Sequence, residues 1–235
     1  MRHIPSRKIF VLLVLLPFLL APEARGALRQ PVRFKSADGT ELSGTFYDSR
    51  AVGPGALFLV DCEGDAPELI NLAGMITAAG PRVLIWNYRK GGNPKESSEK
   101  ATADADAAWN VLAHQPRVAS DTIGLLAIGC GARIAIPLAA KTGKVKLMVL
   151  ISPDLTGVTD EQVAAVANLP LEIYANGDEE GAKRLFATNR NDKTQMKVYR
   201  RSEKAMALYR LDRTFREGID TFFQWVYGAF SADDF

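Results

Sequence analysis

Histidine and cysteine are scarce in this sequence: two of each in 235 residues, at His3, His114, Cys62 and Cys130. No His/Cys cluster has the spacing of a zinc site. The acidic residues follow no calcium-loop pattern, so the chain is read as holding no metal and no cofactor. Net charge is nearly absent too. Lys and Arg number 29 against 27 Asp and Glu, a net charge of +2, which gives no basic footprint for nucleic acid. Internal repeats and low-complexity tracts are missing. One apolar run stands out, Ile9 to Ala21. It is shorter than the roughly 20 residues that span a bilayer, and Pro17 breaks it.

What surrounds that run has the form of a secretory signal peptide. Met1 to Lys8 is basic, the apolar run follows, and Ala24-Arg25-Gly26 sets small residues at the −3 and −1 positions of a cleavage site after Gly26. The rival reading is an uncleaved membrane anchor. The expected organisation is a signal peptide over 1–26 and one domain over 27–235, exported to the periplasm or beyond. It would touch the membrane only through the signal. Residues 1–26 carry four basic side chains and one acidic one, so the remainder has a net charge of −1. In an oxidising compartment an even cysteine count invites a disulfide. The alternative is two small buried thiols.

Hydrophobic patterning predicts alternating strands and helices. Pro31 to Ser36 and Glu41 to Tyr47 alternate apolar with polar residues around Asp38-Gly39, which reads as a hairpin. Ala51 to Gly55 reads as a loop. Continuous apolar strands follow at Ala56–Val60, Arg82–Trp86, Asp121–Ile128, Lys146–Ile151 and Leu171–Ala175, with a last strand at Gln195–Tyr199. Helical spacing appears over Pro67–Ala79, Lys100–His114, Ala132–Lys141, Asp160–Ala167, Glu179–Thr188 and Asp212–Tyr227. Such alternation predicts a three-layer α/β/α sandwich around a mostly parallel sheet, opened by an antiparallel hairpin.

The stretch Ile123-Gly-Leu-Leu-Ala-Ile-Gly-Cys-Gly-Ala-Arg133 is a buried strand turning sharply into a helix. It resembles the nucleophile elbow, G-x-S-x-G, of the α/β-hydrolase superfamily. Three further stretches are similar to that family: Ala56-Leu-Phe-Leu-Val-Asp-Cys-Glu-Gly64 to its oxyanion strand and loop, Gln115-Pro116 with Asp121 onward to the run-in to the elbow, and Leu169 to Asp178 to the strand before the triad acid. The resemblance covers about residues 31–229. Only about twenty residues separate the strand ending at Ile151 from the one beginning at Leu171. The resemblance therefore implies a lidless member without a cap domain, in the manner of dienelactone hydrolases.

The family's chemistry needs a nucleophile, a histidine base and an orienting carboxylate. Aligned on the elbow, the nucleophile position holds Gly129. The stretch 200–213, where the resemblance places the base, has no histidine. His3 leaves with the signal, and His114 ends a helix ahead of the elbow strand. Asp61 and Glu63 flank Cys62 in the oxyanion loop, where carboxylates oppose the charge that such a site stabilises. Asp178, Glu179 and Glu180 stand near the acid position. The reading is thus an exported pseudoenzyme, a binding or structural module whose partner is an unknown small ligand or protein. The alternative is a weak or atypical hydrolase of small esters or thioesters, acting through Cys130 in a shifted elbow or through pocket carboxylates. The resemblance also implies that Cys62 and Cys130 sit on facing loops and pair as a disulfide. It places Asp61, Cys62, Glu63, Gly129, Cys130, Gly131, Asp154, Asp178 and Glu180 around one pocket at the carboxyl ends of the strands.

Overall fold

In the computed structural model the alternating N-terminal residues form β1 (Leu28–Lys35) and β2 (Glu41–Asp48). The turn between them rests on Gly39, at φ +82°, and on the Asp38 carboxylate, which accepts the Thr40 amide at 2.9 Å. The structure describes residues 28–62, 67–89, 91–95, 98–177, 179–199, 217–219 and 221–222. The expected signal peptide and most of the expected closing helix lie outside these residues.

The chain continues through β3 (Gly53–Leu59), α1 (Pro67–Ala78), β4 (Arg82–Trp86), α2 (Ser98–Ala113), β5 (Val118–Ile128), α3 (Ala132–Thr142), β6 (Val145–Ile151), α4 (Asp160–Ala165), β7 (Leu171–Asn176), α5 (Glu180–Thr188) and β8 (Gln195–Tyr199). The eight strands form one sheet in the order β1-β2-β4-β3-β5-β6-β7-β8. The β1–β2 and β2–β4 pairings are antiparallel and the others parallel. Every residue of β3 and β4 is buried. That is why these strands are apolar without alternation: helices cover both faces. Leu57 and Leu59 pack with α2 and α3, whereas Ala56, Phe58 and Val60 pack with α1 and with Ile219 and Phe222 of a helical segment near the C-terminus. Only α4 stands between β6 and β7, as expected of a fold without a cap.

One expectation fails. Gly53-Pro54-Gly55 is not a loop but the buried start of β3. The register with β5 shifts between Gly53 and Gly55, and this irregularity admits a proline, which has no amide for the ladder. A Cβ at Gly55 would stand 3.1 Å from Ile123 Cγ1 and 3.2 Å from Val118 Cγ1. Here glycine serves close packing rather than a turn.

Where β4 begins and β2 ends, away from the elbow, an ionic cluster is buried. Arg82 is fully buried, and its Nε donates to Asp48 Oδ1 at 3.1 Å. Asp48 also accepts from the Arg50 amide at 2.8 Å and from Arg117. Burial pushes the Asp48 carboxyl up, but the Arg50 amide and the guanidinium groups of Arg117 and Arg82 outweigh it. They hold the group below the usual carboxylate range.

Candidate functional site at the strand-to-helix elbow

β5 delivers the chain to Gly129, whose φ of +52° starts a single tight turn, Gly129–Gly131, before α3. A left-handed backbone favours glycine, because a Cβ there crowds the following carbonyl. Cys130 is not among the described residues with positive φ. The sharp bend therefore sits at Gly129, the position that carries no side chain, and not at Cys130. Gly131 is required for a different reason. A Cβ on it would fall on the Leu59 carbonyl oxygen and 2.9 Å from that of Val60. The start of the helix thus passes the end of β3 too closely to admit a side chain.

The loop after β3 then turns back onto the elbow. The hydroxyl of Tyr88 donates to the Val60 carbonyl at 2.8 Å and fixes where that loop departs. Asp61 Oδ1 accepts the Cys62 amide at 2.7 Å and the Cys130 amide at 3.3 Å. In a working elbow, an oxyanion is held by the amide of the residue after the nucleophile together with one from this same loop. Here both donors point at a carboxylate of the protein itself. The carboxylate also fills the nucleophile's place: a Cβ on Gly129 would stand 2.6 Å from Asp61 Oδ1 and 2.7 Å from its Cγ. Cys62 and Cys130 are joined by a disulfide with Cα atoms 5.8 Å apart, 68 positions apart in sequence. The bond ties the oxyanion loop to the elbow and leaves Cys130 2% exposed.

Asp154 and Glu180, also expected at the pocket, come from the segments after β6 and β7. Asp154, after β6, donates its amide to the Gly129 carbonyl at 3.0 Å, and its side chain pairs with Arg133 from the first turn of α3. Burial raises the Asp154 carboxyl, yet Arg133 and the Thr156 amide, which donates at 2.9 Å, hold it low. Glu179 stands just before α5. Burial pushes its carboxyl up, against the pull of the Asn176 amide and the Ser152 hydroxyl. Asp154, Glu179 and Glu180 line a cavity of about 440 Å³ together with Ser152, Thr156 and Arg184. The hydrogen bond from the Asp154 amide to the Gly129 carbonyl joins the cavity wall to the elbow. Asp61, Cys62, Gly129, Cys130 and Gly131 form the elbow cluster, and Asp154 and Glu180 line the cavity. Glu63 and Asp178 lie outside the described residues. His114 is an exposed residue just past α2, with its Nδ1 2.7 Å from the Asn110 carbonyl oxygen.

Sequence reasoning passed over Arg133, which stands in the quoted elbow and neutralises Asp154. It also passed over Ser152, a non-glycine residue at φ +47°. A serine directly after a buried strand and before a proline was the available signal for Ser152.

The packing of Asp61 on Gly129 makes a testable statement. Gly129→Ser alone lowers stability by about 2 kcal/mol, from the left-handed backbone and the overlap with the carboxylate. In an Asp61→Ala background the same change has a smaller effect, with a coupling of about 1 kcal/mol between the two sites. Urea unfolding of the four chains in the cycle measures both values. Additive effects would mean the two positions do not touch.

The family described as "BAAT / Acyl-CoA thioester hydrolase C terminal" matches residues 106–207, a span that includes the elbow and α3. Among solved structures, an esterase of Pyrococcus furiosus is similar at 14% identity and a TM-score of 0.71, over 86% of this chain and 92% of that one. The α/β hydrolase GrgF of a Penicillium species is similar at 13% identity and a TM-score of 0.70, over 86% and 99%. A hypothetical protein from Pseudomonas aeruginosa gives 13% identity and a TM-score of 0.67, over 87% and 95%. No curated protein sequence matches this one.

Proposed function

We propose, from the premise that this chain is an α/β-hydrolase-fold protein, that it keeps the hydrolase scaffold as a non-catalytic binding or structural module. The observation that carries this reading is the placement of Asp61. Its carboxylate takes the amides of Cys62 and Cys130 and stands against the Cα of Gly129. An acyl transfer at this elbow lacks its nucleophile and its base. It also meets a negative charge where its own oxyanion must form. The protein is exported, and the Cys62–Cys130 disulfide supports that location because such bonds persist in oxidising compartments. Among the described residues no helix is long and apolar enough to cross a membrane.

A second reading has one observation in its favour, the family match named for acyl-CoA thioester hydrolases. In that reading, reduction frees the Cys130 thiol to attack an ester or thioester. It has to act with no histidine in the chain beyond His3 and His114, and with Asp61 seated on the oxyanion amides.

A fluorophosphonate probe, which marks activated serine nucleophiles, separates this chain from its working counterparts. The intact protein is expected to remain unlabelled under conditions that fully label an active esterase. Stoichiometric labelling at any serine overturns the reading.

A further inference from the structure

We propose that the open edge of β8 pairs antiparallel with β8 of a second copy of this chain, about a two-fold axis at Lys197. This inference does not depend on whether the elbow is catalytic. β8 ends the sheet order and borders only β7 among the described strands. The Tyr199 carbonyl accepts the Gly177 amide at 2.6 Å, so the main-chain groups of Tyr199 face β7. Main-chain groups alternate in direction along a strand, which turns those of Lys197 and Gln195 the same way. The amides and carbonyls of Met196 and Val198 therefore point outward, where they meet no partner among the described residues.

Side chains alternate as well. Met196 packs against the core that holds Ala182 and Leu185 of α5, so Val198 lies on that same face of the sheet. Val198 is 50% exposed there, and Phe186 of α5 is 43% exposed. Lys197 points to the opposite face, where its Nζ donates to Glu172 Oε1 at 2.6 Å.

The two edges of the sheet differ. β1 carries Pro31 among Arg29, Arg33 and Lys35, the residue types that keep an edge from pairing. β8 has no proline, and its register with β7 runs from Gln195 to Tyr199 without a shift. Its one charged side chain, Lys197, is neutralised by the buried Glu172. An edge of this kind is completed by another strand.

A second β8 fits because the edge is its own complement. Read in reverse, its open positions are Val198 and then Met196. About an axis at Lys197, Met196 stands opposite the partner copy's Val198 as a hydrogen-bonded pair and exchanges both bonds with it. The symmetric pair does the same, and every outward group on both strands is used. The two apolar pairs meet on the α5 face, the side on which Phe186 is exposed. Such a contact is isologous and closes at two copies.

Sedimentation velocity of the full chain over a range of concentrations is the test, and a monomer–dimer equilibrium is expected. Val198→Pro removes an outward donor without touching the ladder to β7, and Val198→Glu puts a charge into the apolar pair. Each is expected to weaken the dimer by about tenfold or more and to keep the parent's far-ultraviolet circular dichroism. Should Val198→Pro disturb the fold, Val198→Glu, at a half-exposed site, carries the comparison. Hydrogen exchange at the Met196 and Val198 amides is expected to slow as the dimer forms, and exchange at Lys197 to change little. The proposal is overturned by a monomer at every concentration, including one that takes an extended peptide on β8 instead. It is overturned equally by a dimer that the Val198 variants leave intact, as association through the apolar run Ile9 to Ala21 would be, or by a dimer whose Met196 and Val198 amides exchange as fast as in the monomer.

Discussion

Asp48→Ala is expected to lower the stability of this domain by about 3–5 kcal/mol, although Asp48 lies far from the elbow. The magnitude comes from what is left behind. Arg82 is fully buried, its Nη1 and Nη2 have no hydrogen-bond partner among the described residues, and Asp48 is the carboxylate that faces it. Removing one member of a buried pair strands the other charge in a medium that solvates it poorly. Arg117 and the Arg50 amide lose their acceptor in the same step. Arg82→Met removes the charge that needs compensating, so Asp48→Ala placed on top of it costs much less than alone. Guanidinium unfolding of the two single variants and the double variant reads the difference. Equal losses in both backgrounds would show that the pair is not coupled.

The pH dependence of Asp48 follows with its sign. Its folded pKa lies below the unfolded one, so the stabilisation is fully present above the ordinary carboxylate range. It is lost as pH falls through the lower, folded value. Acid unfolding of Asp48→Ala is therefore expected to lack the part of the pH slope that the parent shows below that range.

Loss of the Cys62–Cys130 bond is the second large effect. In the chain-entropy picture, cross-linking residues 68 apart withholds about 4 kcal/mol of loop-closure freedom from the unfolded chain. The expected result of reduction, or of Cys62→Ser with Cys130→Ser, is a melting temperature lower by roughly ten degrees. The two routes to an unbridged chain are expected to agree within about 1 kcal/mol. A reduced chain that melts with the oxidised one would mean that the bond does not hold the folded state together. The bond joins the loop after β3 to the elbow, so its loss also loosens the hold on Asp61. Hydrogen exchange at the Cys130 amide is expected to speed up in the reduced chain by more than exchange in the centre of β5.

The order of strands and helices was legible because each element announces itself locally. β3, β4 and β6 are short apolar runs, as doubly covered strands are, and α1 to α5 show the 3.6-residue spacing. Gly53-Pro54-Gly55 was misread because glycine and proline signal a turn wherever they occur. Only the neighbours Ile123 and Val118, distant in sequence, show that small residues are needed there for contact. The elbow was legible as a loss, since Gly129 and the missing histidine are facts of the sequence. What replaced the chemistry was not. Asp61 was read as a charge beside the oxyanion site, and only the three-dimensional turn of the β3 loop puts its Oδ1 on both amides. The partner of Asp154 was hidden for a similar reason. Arg133 draws Asp154 toward α3, a pairing between side chains 21 positions apart that no local pattern announces.

Turnover of short-chain p-nitrophenyl esters and acyl thioesters by the purified domain, with and without reductant, decides whether the elbow is inert. No rate above that of the heat-treated protein is expected in either condition, because Gly129 supplies no nucleophile and Asp61 holds the amides that an oxyanion needs. A saturable rate that scales with protein concentration would contradict it. If that rate appears only with reductant and disappears in Cys130→Ala, the elbow is a masked cysteine site.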